Sequence, residues 1–166
     1  VKVIADTSTL IALSHLRQLD LVKKLWNKIF IPEMVYEEVL QGGPGGPGVQ
    51  EVENAVKAGW LIVHKVQSNR EVAFLMTVLG PGEAGVLVLG NELEADLLII
   101  DEKKARRIAV QAGFEVLGVL GVINLAVSKG LINRKEAPAM IDILKNKGFR
   151  LGEGLVERFL KSMEIQ

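Results

Sequence analysis

Four carboxylates occupy positions where a charge is awkward. Asp6 closes the mostly apolar, β-branched run Val1-Lys2-Val3-Ile4-Ala5, and Asp101 closes the apolar run Leu97-Leu98-Ile99-Ile100. In an open parallel sheet both stand on the carboxyl edge, where such folds place their sites. Each is also a good N-cap for the helix that follows, so residue type alone leaves both roles open. On a helical wheel counted from Met34, Val35 falls at about 100°, Val39 at about 140° and Glu38 at about 40°. Glu38 therefore points into the apolar arc, and its neighbour Glu37 points out of it. An inward carboxylate costs several kcal/mol unless a hydrogen bond or a cation satisfies it. Glu83 follows Gly80-Pro81-Gly82 and opens a segment without a polar residue from Ala84 to Gly90. It suits both the helix dipole and a ligand role. Carboxylates converging to about 5 Å repel by roughly 3 kcal/mol per pair at an effective dielectric of 20. A hard divalent ion with oxygen ligands, Mg²⁺ or Mn²⁺, relieves that repulsion. Clusters of this kind hydrolyse phosphodiesters, the metal polarising the phosphate, lowering the pKa of a water and stabilising the leaving oxygen.

Other polar residues flank these acids. Thr7 and Ser8 follow Asp6, placed either to cap a helix or to hydrogen-bond at the site. After Asp101 comes Lys103-Lys104-Ala105-Arg106-Arg107. With Ala105, Ile108, Ala109 and Ala112 as the buried stripe, these cations face outward or flank it, either as a solvated face or as partners for phosphates beside the scissile one. The segment Gly43-Pro44-Gly45-Gly46-Pro47-Gly48 has the spacing G-x-G-x-x-G. It follows a helix and is broken by two prolines, so it reads as a loop and not as a dinucleotide fingerprint. His15 and His64 lack ligand-type neighbours at helical spacing and read as structural. No P-loop, zinc spacing or nucleophile elbow is present.

The elements that must position the acids alternate between strand and helix. Strands are predicted over 1–6, 29–31, 60–66, 97–100 and 114–117. Helices are predicted over 10–16, 19–26, 32–40, 49–58, 70–79, 83–94 and 102–112, with a mostly helical tail to Gln166. Strands separated by helices predict a three-layer α/β/α sandwich around a mainly parallel sheet. The 166 residues suit a single domain, with a core over about 1–120 and a helical extension over about 121–166. The balance of 20 basic against 20 acidic residues excludes a broadly basic nucleic-acid coat, though not a local patch. With no cysteine there is no disulfide, thiolate nucleophile or zinc ribbon. The apolar runs fall short of the ~20 residues that span a bilayer. No signal-peptide pattern opens the sequence, and a cytoplasmic setting is expected.

Taken in order, Val3-Ile4-Ala5-Asp6-Thr7-Ser8, Ile31-Pro32-x-x-Val35-x-x-Glu38, Gly82-Glu83-x-x-Val86 and Leu98-Ile99-Ile100-Asp101-Glu102-x-x-Ala105-Arg106 resemble the PIN domain over roughly residues 1–120. The nearest likeness is to prokaryotic PIN proteins such as the VapC toxins of toxin–antitoxin pairs. This resemblance implies a Rossmann-like fold and a Mg²⁺- or Mn²⁺-dependent ribonuclease leaving a 5′-phosphate and a 3′-hydroxyl. It places Asp6, Glu38, Glu83 and Asp101 on the family's acidic positions. Thr7, Ser8, Lys103, Arg106 and Arg107 are then the candidate substrate contacts. The implied partners are RNA, an antitoxin protein and a second copy of the chain. A dimer is also expected from the apolar segments 116–127 and 140–144. At position 83 the family more often has Asp, and before the last acid more often Thr or Ser where this chain has Ile100. These departures motivate an alternative, a catalytically weak PIN-like module that binds RNA or protein. A phospho-acceptor receiver domain is disfavoured, because the strand 60–66 ends without an Asp.

Overall fold

The computed structural model describes residues 1–164; Ile165 and Gln166, the end of the predicted helical tail, lie outside the described residues. Five strands form the sheet: β1 (Val3–Ala5), β2 (Ile29–Pro32), β3 (Leu61–His64), β4 (Leu97–Ile99) and β5 (Val116–Leu117). Their order is β3-β2-β1-β4-β5, and every pairing is parallel. Helices connect them: α1 (Thr7–His15) and α2 (Asp20–Trp26) between β1 and β2, and α3 (Glu33–Leu40) and α4 (Val49–Lys57) between β2 and β3. Then come α5 (Asn69–Leu75) and α6 (Pro81–Glu92) before β4, and α7 (Lys103–Gln111) before β5. After β5 the chain is helical in α8 (Val119–Ser128), a 3₁₀ turn (Arg134–Glu136), α9 (Ala137–Asn146) and α10 (Glu153–Glu164). The α/β class, the parallel sheet and the helical tail are as the sequence predicts.

The sheet is dry because its strands are apolar throughout. Val3, Ile4, Ala5, Ile29, Ile31, Leu98 and Ile99 are fully buried, as central parallel strands with covered faces require. Helix α6 has the same origin: from Ala84 to Gly90 it is buried all round. Its first turn is set by Pro81, which needs no hydrogen-bond partner for its nitrogen at the start of a helix. Two helix boundaries differ from the sequence reading by three residues or more. α1 begins at Thr7, three residues early, because Asp6 caps it. The helix predicted over 70–79 ends at Leu75, and residues 76–79 form turns closed by Thr77 and Val78 amides donating to Phe74 and Leu75 carbonyls. β-Branched Thr77 and Val78, followed by Gly80-Pro81, disfavour another helical turn. The segments 116–127 and 140–144, read as excess apolar surface, are largely covered within the chain. Val119, Leu120, Val122, Ile123, Ala126, Met140, Ile141 and Leu144 are buried there, while Ile143 stays 40% exposed.

The order of strands also creates the place for a site. From β1 the sheet runs one way through β2 to β3, and the other way through β4 to β5. Chain connections leave β1 and β4 on opposite sides of this reversal, and the crevice outside their carboxyl ends is where open α/β sheets bind ligands.

Candidate active site at the carboxyl edge

Asp6 and Asp101 sit at that reversal. The register Val3↔Leu97, Ile4↔Leu98, Ala5↔Ile99 brings the ends of β1 and β4 level. Asp6 donates its amide to the Ile99 carbonyl at 3.0 Å. Its side chain is 1% exposed and accepts twice: Oδ1 from the Thr9 amide at 2.9 Å, Oδ2 from the Asp101 amide at 3.0 Å. The first bond is the N-cap of α1; the second ties one acid to the backbone of the other. Burial raises the Asp6 pKa to about 6, the Thr9 and Asp101 hydrogen bonds oppose it, and the Asp101 charge adds to it. Asp101 is also raised by burial, opposed by the Val119 amide and by Arg106. It does not cap the helix that follows it. Glu102 caps α7 by accepting from the Ala105 amide at 2.6 Å, leaving Asp101 Oδ1 to accept from Val119 at the start of α8 at 3.3 Å. The N-cap role that sequence position offers Asp101 thus falls one residue later.

Glu38 and Glu83 make a second pair. Glu38 is turned inward on α3 while Glu37 is exposed, as the wheel predicts. It accepts from Thr7 Oγ1 at 3.2 Å, which links it to the residue next to Asp6. Burial raises its pKa; the Thr7 bond opposes, the Glu83 charge adds and the Gly82 amide opposes. Two glycines allow α3 and α6 to approach closely. A Cβ on Gly82 would lie 2.0 Å from Glu38 Oε1, and one on Gly85 would lie 2.5 Å from Met34 Sδ. Glu83 Oε1 accepts from the Gly80 amide at 3.1 Å, so its carboxylate turns back on its own helix start. The four acids therefore lie on one edge of the molecule as two pairs joined through Thr7, and not as a single cluster.

A cleft of about 770 Å³ opens beside Asp101, lined by Ser8, Asp101, Glu102, Lys103, Arg106, Arg150 and Arg158 among others. Arg106 Nη1 donates to the main-chain carbonyl of Asp101 and lies 4.0 Å from its carboxylate. Ser8 and Lys103 line the cleft as well, while Lys104 and Arg107 do not. Two cations at the cleft, Arg150 and Arg158, escaped the sequence reading. They lie about fifty residues beyond Asp101 in the sequence, and only the fold brings them to the cleft. The two histidines are structural in their contacts: His15 meets Phe149 edge-on at 5.9 Å, and His64 meets Phe30 at 6.4 Å.

A divalent cation suits the donors present. All four are carboxylates, the hard oxygen ligands that Mg²⁺ and Mn²⁺ prefer; burial raises the pKa of both Asp6 and Asp101, and the Asp101 charge raises that of Asp6 further. Among the described residues, no three acids or histidines are drawn together tightly enough to form a ready-made cage. A family model described as PIN domain matches residues 2–165, and the chain belongs to the PIN-domain family. The match extends through α8, α9 and α10, beyond the 1–120 over which the sequence motifs carry the resemblance. Members of this family are typically metal-dependent nucleases. No curated protein matches the sequence. No helix among the described residues is long and apolar enough to cross a membrane.

Proposed function

We propose that this chain is a Mg²⁺- or Mn²⁺-dependent endoribonuclease, with Asp6, Glu38, Glu83 and Asp101 holding the metal and Ser8, Lys103 and Arg106 holding the RNA. The observation that carries the reading is the Asp6–Asp101 pair: two acids on adjacent strand ends at the sheet's reversal, one fully buried, linked through a backbone amide. A bound cation would polarise the scissile phosphate and neutralise charge at the leaving oxygen. The protein's own part is positioning. Thr9 and Asp101 amides fix the Asp6 carboxylate, Val119 and Arg106 fix Asp101, and Thr7 aligns Glu38 with them. Arg106 partly offsets the negative charge where an anionic substrate must approach. Arg107 lies outside the cleft, and its expected phosphate contact is replaced by those of Lys103 and Arg106 in this reading. The enzyme acts in the cytoplasm, held silent by an antitoxin, as a homodimer; a sedimentation profile showing only monomer at micromolar concentration removes the dimer.

The test is cleavage of end-labelled single-stranded RNA with Mn²⁺, Mg²⁺ or EDTA. Asp6→Asn and Asp101→Asn are each expected to lower the rate by at least about a hundredfold, since even loss of a group that merely orients a metal ligand costs 10–100-fold. Full activity in either folded variant rejects the site. The Glu83–Gly80 bond favours a second reading, a binding module whose acids serve as caps. Tight RNA binding without metal dependence or cleavage selects it.

A further inference from the structure

The C-terminal extension reaches back to the cleft beside Asp101, and it arrives with charge. The cleft is lined by four cations, Lys103, Arg106, Arg150 and Arg158, against two carboxylates, Asp101 and Glu102, in a chain of zero net charge. A second cavity of about 240 Å³ shares Asp101, Arg106 and Arg150 with it and runs on to the start of α8. The two therefore form one groove passing the acid. Arg106 has a carboxylate partner; among the described residues Lys103, Arg150 and Arg158 have none, and all three are exposed. They come from three separate places in the fold: Lys103 from the first turn of α7, Arg150 from the segment before α10, Arg158 from α10 itself. A solvated helix face puts its charges on one helix; these converge from three, leaving an unneutralised positive surface at a groove. The ligand such a surface suits is a linear polyanion with charges at regular intervals.

We propose that residues 148–158 form the far wall of the substrate groove, and that Arg150 and Arg158, together with Lys103, hold backbone phosphates of single-stranded RNA next to the one cleaved. This rests on the nuclease reading and adds to it the residues that set the path of the strand. Arg150 and Arg158 are exposed, so their replacement by Gln leaves the core intact.

The experiment measures binding of a short fluorescein-labelled oligouridylate by anisotropy, in EDTA, over a range of salt. Three full-length proteins are compared: wild type, Arg150→Gln/Arg158→Gln, and Lys145→Gln/Lys147→Gln, which removes the same charge outside the groove. Loss of two phosphate contacts is expected to flatten the slope of log affinity against log salt by about 1.4, with the lysine variant keeping the wild-type slope. Equal slopes in wild type and the arginine variant, or equal flattening in both variants, overturn the proposal. So does a wild type that does not bind the oligouridylate. Its failure is separable from that of the nuclease reading. Cleavage lost in Asp6→Asn with an unchanged arginine-variant slope removes the arm alone. A flattened slope in the arginine variant, together with a wild type that never cleaves with Mn²⁺, removes the nuclease alone.

Discussion

Asp6 is the residue whose protonation is most tightly coupled to its surroundings. Folded, it keeps its proton up to about 6, against 3.8 for an ordinary Asp. Between those values the native chain binds a proton that the unfolded chain has released. The contribution of this group to stability is therefore full below about 3.8 and falls as pH rises to about 6, by about 3 kcal/mol in all. Denaturant melts of the metal-free protein across that interval measure it, and a replacement by Asn that leaves the pH slope unchanged contradicts it. A divalent cation must displace the same proton. Mn²⁺ affinity is expected to weaken as pH falls below about 6, by about tenfold per pH unit for one proton displaced. At neutral pH, Mn²⁺ at a hundred times its Kd should stabilise wild type by about 2.7 kcal/mol and the Asp6→Asn/Asp101→Asn variant not at all, read as a shift in unfolding midpoint. Asp6 and Asp101 were legible as site residues because charge at the end of an apolar strand has few explanations. The neighbour relations were not: that Glu102, and not Asp101, caps α7 depends on Val119, which stands eighteen residues further on.

At the scale of elements, the contact between α3 and α6 decides where Glu38 lies. Gly82 leaves room for its carboxylate, and a Cβ there would also come within 3.2 Å of Thr7 Oγ1. Gly82→Ala is expected to displace Glu38, lower cleavage sharply and cost about 1–3 kcal/mol by overpacking. Gly85→Ala meets the flexible side chain of Met34, which can turn aside, and the Pro32 ring at 3.2 Å, but not Glu38, so its activity is retained whatever its cost in stability. Parallel rate and melting measurements on the two variants check the contrast; equal loss of activity in both would show that the helix approach as a whole matters and not the Glu38 position. The alternation of strand and helix was plain from hydrophobic period and Gly/Pro punctuation. The inward turn of Glu38 was also readable, because the wheel separates it from Glu37. Its partner was not: the capping bond from the Gly80 amide to Glu83 is a rotamer choice that residue types leave open.

For the whole molecule, the extension is part of the fold. Val156, Phe159 and Met163 of α10 are buried, as are Met140, Ile141 and Leu144 of α9, which also meets α1. One cooperative unfolding transition is expected, with α9 and α10 lost together with the sheet. Phe159→Ala should lower stability by about 3 kcal/mol; a separate early transition in calorimetry, or a neutral substitution, contradicts this. Composition bears on this scale only weakly. The tail was readable as helical, but its docking against α1 and its approach to Asp101 come from packing that joins positions far apart in sequence. The exposed Phe74, at 75%, with Met76 and Val78 near it, is likewise visible only once the helix is known to end at Leu75.

The central place of β1 also sets an order of events during synthesis. This strand is made before the other four, yet it is flanked by β2 and β4, and the Asp6 carboxylate receives the Asp101 amide from 95 residues later. Asp101 in turn receives its own from Val119. A nascent chain truncated just before residue 101 thus lacks the edge strand β5 and carries half of an acid pair. Any hydrolytic capacity the acids confer would then arise only after residue 119 has been added. Ribosome-bound chains arrested before and after residue 119 and assayed for RNA cleavage would show this as activity confined to the longer ones.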